Sequence, residues 1–143
     1  MLFNPSSEQV RLFFCDTWAK HTAGQPLTPI EAMALDWILE HPEYHADLAA
    51  LDDALQRAYS ADDGRENPFL HLSMHLAIAE QLSIDQPPGI RAAFERLAQR
   101  LDSLHAAAHQ VMECLGQTLW QAQRDRRMPD GDAYLACIRR RAG

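Results

Sequence analysis

"NPFLHLSMHLAIAEQ" runs from Asn67 to Gln81, and between Phe69 and Ala79 only His71, Ser73 and His75 are not apolar. Strict apolar–polar alternation is absent and β-branched residues are few, so the stretch reads as helix rather than strand. Asn67-Pro68 is a helix start, with proline in the first turn, and the helix is predicted to run to about Asp85. His71 and His75 stand four apart and therefore share one face. On a wheel of about 100° per residue they fall among Leu72, Ile78, Ala79 and Leu82, inside an apolar arc rather than on a polar edge. A buried imidazole that finds no partner is costly. These two therefore need a carboxylate, a backbone carbonyl, a water or a metal.

Working outward, the rest of the chain carries the same helical signals. Val10, Phe13, Phe14, Thr17, Trp18 and His21 form a stripe at helical spacing behind Asn4-Pro5-Ser6-Ser7, and Gly24 ends it. Thr28-Pro29-Ile30-Glu31 is a capping box, followed by Ile30, Met33, Ala34, Trp37 and Ile38 on one face. Pro42 pushes His41 out of helical geometry. Tyr44, Leu48, Leu51, Leu55 and Tyr59 make a further stripe, and Ser60 to Asn67 reads as the clearest loop. Pro87-Pro88-Gly89 stops one helix. The next presents Ile90, Phe94, Leu97 and Leu101, with Arg91 and Glu95 expected to pair on its outside. A long helix from about Ser103 to Arg124 is broken by "RRMPDGD", and a short one is expected from Asp132 to Arg141. The expectation is an all-α, single-domain helical bundle of six or seven helices spanning residues 1–143.

Composition narrows the function classes. The chain has 143 residues and a net charge of -7, which argues against bulk attraction to nucleic acid or to anionic membrane. Residues 124–143 hold six arginines against Asp125, Asp130 and Asp132, leaving the remainder at -10. Cations at a helix end suit the helix dipole, and the acidic surface elsewhere would repel phosphate. No run approaches the ~20 apolar residues of a membrane span, and the N-terminus does not read as a secretory signal. Cys15, Cys114 and Cys137 are odd in number and widely spaced, so neither a disulfide framework nor a thiolate zinc site is expected. A reducing cytoplasm is the expected compartment.

Six of the seven histidines form three H-x-x-x-H pairs, at 41/45, 71/75 and 105/109. A shuffled chain would hold about a third of one such pair. His41 and His45 straddle Pro42, so they are not expected to share a helix. The other two pairs lie in good helices, at the spacing with which a helix offers two imidazoles to one ion. Glu113 continues the 105/109 stripe, but Gln110, Gln117, Gln121 and Arg124 make that side polar. Trp120 shares its margin and argues for a second packing surface there. The sequence thus nominates His71, His75, His105, His109 and Glu113 as ligands to a divalent transition metal such as zinc, nickel, iron or manganese, on two facing helices, with Glu80 as another oxygen donor. No E-x-x-H, H-E-x-x-H, G-x-S-x-G or glycine-rich phosphate loop is present, so no catalytic residue is nominated and the reading leans away from an enzyme. Cys114, Met33, Met74 and Met112 read as core.

The segments "NPFLHLSMHLAIAEQ", "PPGIRAAFERL", "HAAAHQVMECLGQTLWQAQR", "HPEYH" and "DGDAYLACIRR" together resemble a proteobacterial family catalogued as domain of unknown function number 1841. The resemblance covers nearly the whole chain. It implies a short, soluble, helical bacterial protein and assigns no residue a role. The H-x-x-x-H spacing is distantly similar to hemerythrin-like metal bundles, whose ligand spacing does not match. A reading from another class competes with metal binding: a non-catalytic interaction or assembly module with structural histidines. It would meet a protein partner or a second copy through Phe13, Phe14 and Trp18 or through the arginine-rich end.

Overall fold

Thr28 and Glu31 show how closely local sequence directs this fold. In the computed structural model, which describes residues 7–56 and 67–143, the Glu31 amide donates to Thr28 Oγ1 at 3.3 Å. The Thr28 amide donates to Glu31 Oε1 at 2.9 Å. That reciprocal cap satisfies two of the orphan donors at a helix start. It opens α2 (Pro29–Leu39), which follows α1 (Ser7–Thr22). Glu31 is buried and also takes a proton donor from Lys20 Nζ at 2.8 Å. The Lys20 bond, then the Thr28 amide, hold its carboxyl below the usual carboxylate range.

After α2 the chain departs from the expectation of one continuous stripe. A 3-10 turn (Pro42–Tyr44) leads into α3 (His45–Ala49) and α4 (Leu51–Gln56). The break falls at Ala50, whose φ of -108° and ψ of 71° lie outside the helical region. Asn67 Oδ1 then accepts from the amides of Phe69 and Leu70 at 3.0 and 3.2 Å, starting α5 (Pro68–Ile84). The described chain continues as α6 (Ile90–Leu101), α7 (Leu104–Asp125) and α8 (Gly131–Ala142). Eight α-helices and no strand are found among the described residues, so the fold is all-α. The proposed cap at Asn4 to Ser6, most of the Ser60–Asn67 loop, and Tyr59 lie outside the described residues.

The chain gathers into two compact units, Met1–Ala77 and Ile78–Gly143. In the first, Phe14, Ile38, Leu48, Phe69, Leu72 and Leu76 are all but sealed from solvent, and Phe13, Trp18, Met33 and Trp37 pack around them. Each such side chain contributes about 1.5–3 kcal/mol by leaving water. The aromatic face of α1, one of the two contact surfaces expected of an assembly module, is therefore used by this core.

In the second unit α6, α7 and α8 pack pairwise around Ile90, Leu97, Val111 and Ile138. The side chains that touch across α7 and α8 pair 110 with 141, 114 with 137 and 117 with 137, so the two helices run antiparallel. Arg96 and Arg100 donate to the carbonyls of Gly143 and Arg141 and so satisfy the end of α8. Arg91 does not pair with Glu95. Its Nε and Nη2 donate to the carbonyls of Leu82 and Ser83, both at 3.0 Å. The orphan carbonyls at the end of α5 are better acceptors for a guanidinium than an exposed carboxylate one turn away.

The bond that joins α7 to α8 has no signature in the cysteine spacing. Cys114 and Cys137 form a disulfide, with Cα atoms 5.8 Å apart. Cys114 is a core residue as expected, fully buried, but it is bonded. Cys15 alone is a free thiol, and burial, then the Asp16 carboxylate, push its pKa up to about 11. No described helix is long and apolar enough to cross a membrane.

Candidate metal centre

His41 ends up at the site because Pro42 follows it. The residue before proline is excluded from the α region, and His41 takes φ -127° and ψ 66° just after α2. Its ring turns back over the helix end and is 3% exposed. Nδ1 lies 2.7 Å from the Trp37 carbonyl oxygen. A carbonyl can only accept, so Nδ1 carries the proton and donates, and a neutral His41 presents a bare Nε2.

That Nε2 faces His71 Nε2 at 3.1 Å, and His71 Nε2 is in turn 3.1 Å from His75 Nε2. His71 and His75 come from successive turns of α5, as their spacing requires. His75 is fully buried and stacks on the Trp37 indole, with centroids 4.0 Å apart and planes 11° from parallel. His41 is parallel to Tyr44 at 5.3 Å, and Tyr44 meets His71 edge-on at 5.8 Å. The walls are thus aromatic, and three ring nitrogens point at one another within them.

Proton bookkeeping decides what such a trio can do. A ring nitrogen offers one proton or one lone pair, not both. His71 Nε2 touches two other Nε2 atoms, and the lone pair of neutral His41 already claims a donor. His71 Nε2 can donate its proton to His41 or accept one from His75, so with His41 neutral only one of the two contacts is an ordinary N–H···N hydrogen bond. A cation in the centre would serve all three lone pairs. Imidazole nitrogens about 2.0–2.1 Å from a zinc-like ion are separated by about 2.9 Å at a right angle and about 3.3 Å at the tetrahedral angle. Both observed contacts fall in that interval. A ligand nitrogen of His41 and one of His75 also lie within 4.8 Å of each other. The Trp37 carbonyl at the far side of His41 is the outer partner that metal-bound histidines characteristically have.

In the second unit His105 and His109 are neighbours on α7, with ring centroids 4.4 Å apart and ligand nitrogens within 4.8 Å. Both are half-buried. Glu113, the third member of that stripe, is exposed and pairs with Arg141, which also donates to Gln110 Oε1 at 2.6 Å. Trp120 does not build a second packing surface; it is 58% exposed and is covered on one face by Arg124, 4.9 Å from its ring centroid.

A family model described as Domain of unknown function (DUF1841) matches residues 6–140. The chain belongs to that family. Comparison with curated proteins and with solved structures found no match.

Of the nominated ligands, the structure brings His71 and His75 together within the first unit, and keeps His105 beside His109 in the second. It adds His41, which the spacing rule set aside. That rule was right that His41 and His45 share no helix: His45 Nε2 donates to the Ile38 carbonyl at 2.9 Å and its ring stacks on Trp18. The available signal for His41 was its place before a proline at the end of an apolar helix, where a ring is thrown back onto the core.

Proposed function

We propose that this protein is a small helical binder of a divalent transition metal, held through the Nε2 atoms of His41, His71 and His75. The observation that carries the reading is the double 3.1 Å contact at His71 Nε2, with the His41 proton already committed to Trp37. Neutral imidazole suits zinc, nickel and iron, and manganese less well because it prefers oxygen. The sequence expectation that His105, His109 and Glu113 also supply ligands is part of the proposal and is tested with it.

Elemental analysis of untagged protein, dialysed without chelator and then offered zinc or nickel, is the test. Near-stoichiometric metal is expected in the wild type. His41→Gln and His71→Gln should lose it while keeping the helical circular dichroism of the wild type. His105→Gln and His109→Gln decide whether those residues add ligands. A wild type that takes up neither ion overturns the reading. One of the 3.1 Å contacts is then an N–H···N hydrogen bond, and the histidines are structural in a protein-interaction or assembly module.

A further inference from the structure

The second unit holds a feature that the histidines do not use. A cavity of about 290 Å³ opens where the end of α7, the connection after it, and α8 meet. Its lining includes Cys137 of the disulfide, Gln117, the exposed Trp120, and two arginines, Arg127 and Arg140. Arg127 shares Asp125 with Arg124, at 3.5 and 3.4 Å. Arg140 has no carboxylate partner among the described residues, in a protein of net charge -7. A spare cation beside a half-enclosed space concentrates small anions there.

The two sulfurs differ in access. Cys114 is 0% exposed and does not line the cavity, while Cys137 is 7% exposed and does. The side-chain amide of Gln117 places its Oε1 3.8 Å from Cys137 Sγ. With its nitrogen turned to the sulfur, that amide would donate to a thiolate formed there.

We propose that this cavity admits a small carboxylate-bearing thiol, which exchanges with the Cys114–Cys137 disulfide. The carboxylate is held by Arg140 and Arg127. The incoming thiolate attacks Cys137 Sγ and forms a mixed disulfide, and the Cys114–Cys137 bond breaks with its electron pair on Cys114 Sγ, which takes a proton from solvent. A second thiolate attacks the small-molecule sulfur of the mixed disulfide and releases Cys137 as thiolate beside Gln117. Two thiols are oxidised to one small disulfide, and the protein disulfide is reduced to two cysteines. The exchange is independent of the histidine reading.

The experiment follows opening of the bond in the native, chelator-treated protein by quenching with an alkylating reagent and weighing the intact chain. Three thiols of one size are compared: 3-mercaptopropionate, 2-mercaptoethanol and cysteamine, each normalised to its thiolate concentration. The anionic thiol is expected to react faster than the cationic one, by on the order of tenfold at low salt. Arg127→Gln with Arg140→Gln, at two exposed positions, should erase that preference while circular dichroism stays unchanged. Three outcomes would each overturn the proposal: equal rates for the three thiols in the wild type, a preference that survives the arginine substitutions, or opening only in denaturant. So would finding three alkylatable cysteines before any thiol is added.

Discussion

Trp37 acts on the histidine trio twice, and its two actions are separable. Its backbone carbonyl fixes the His41 tautomer, and its indole face orients His75. A side-chain substitution removes only the second. Trp37→Leu is therefore expected to weaken zinc binding by about tenfold, the scale typical of outer-shell changes, without abolishing it. Competition titration against a zinc indicator measures this; unchanged affinity would mean that the stack does not position His75. At this scale the sequence was informative where side-chain spacing alone decides contact. His71 and His75 were legible because i, i+4 on a helix leaves no freedom. His41 was not, because its place depends on a pre-proline backbone conformation and on how α2 and α5 pack, and no spacing rule encodes that.

Among the elements, caps were the most legible features, since each is a local contract between a side chain and two or three amides. Thr28 and Asn67 cap the helices they precede, as the sequence signals require; Ser103 and Asp130 cap theirs too, at positions the sequence reading placed within a helix and within a break. Asp85 closes the gap between α5 and α6 in a way the sequence did not announce. Its φ is +52°, and its carboxylate accepts from the amides of Arg91 at 3.0 Å and Gly89 at 3.2 Å. Those bonds, the Arg91 amide first, lower its pKa. A carboxyl with a depressed folded value contributes stability above its unfolded value of about 3.9, and loses it as pH falls through the folded value. The stability gap between wild type and Asp85→Ala in urea titrations should accordingly be constant near neutrality and shrink as pH drops below about 4. A gap that does not change with pH would show that the ionised carboxylate is not what holds this junction. The break at Ala50 was illegible for the opposite reason: alanine carries no turn chemistry, and tertiary packing overrode a good local helix former.

For the whole molecule, the all-α class follows from periodicity repeated along the chain, and that repetition is why it was legible. The disulfide was not: its cysteines are 23 residues apart, in no motif, and are brought together only by the antiparallel return of α8 along α7. Closing a loop of that length is worth about 3 kcal/mol in the chain-entropy account. Cys114→Ser is expected to cost about that much in urea unfolding, less whatever strain the bond carries. A variant as stable as the oxidised wild type would remove the bond from the account of stability. Charge is also read at this scale. Of the three arginines of the last helix, Arg141 is engaged with the chain itself, through Gln110 and Glu113. The net charge of -7 is what argues against a nucleic-acid surface.

The central claim, that the three Nε2 atoms of the first unit share one ion, is tested most directly by long-range proton–nitrogen NMR of the imidazoles during a zinc titration. His41 should already be the Nδ1–H tautomer in the metal-free protein. With one equivalent of zinc, the Nε2 resonances of His41, His71 and His75 should shift together and then stop moving, while His45 stays still. Nε2 signals of the trio that do not respond to zinc, or a His41 proton found on Nε2, would contradict it.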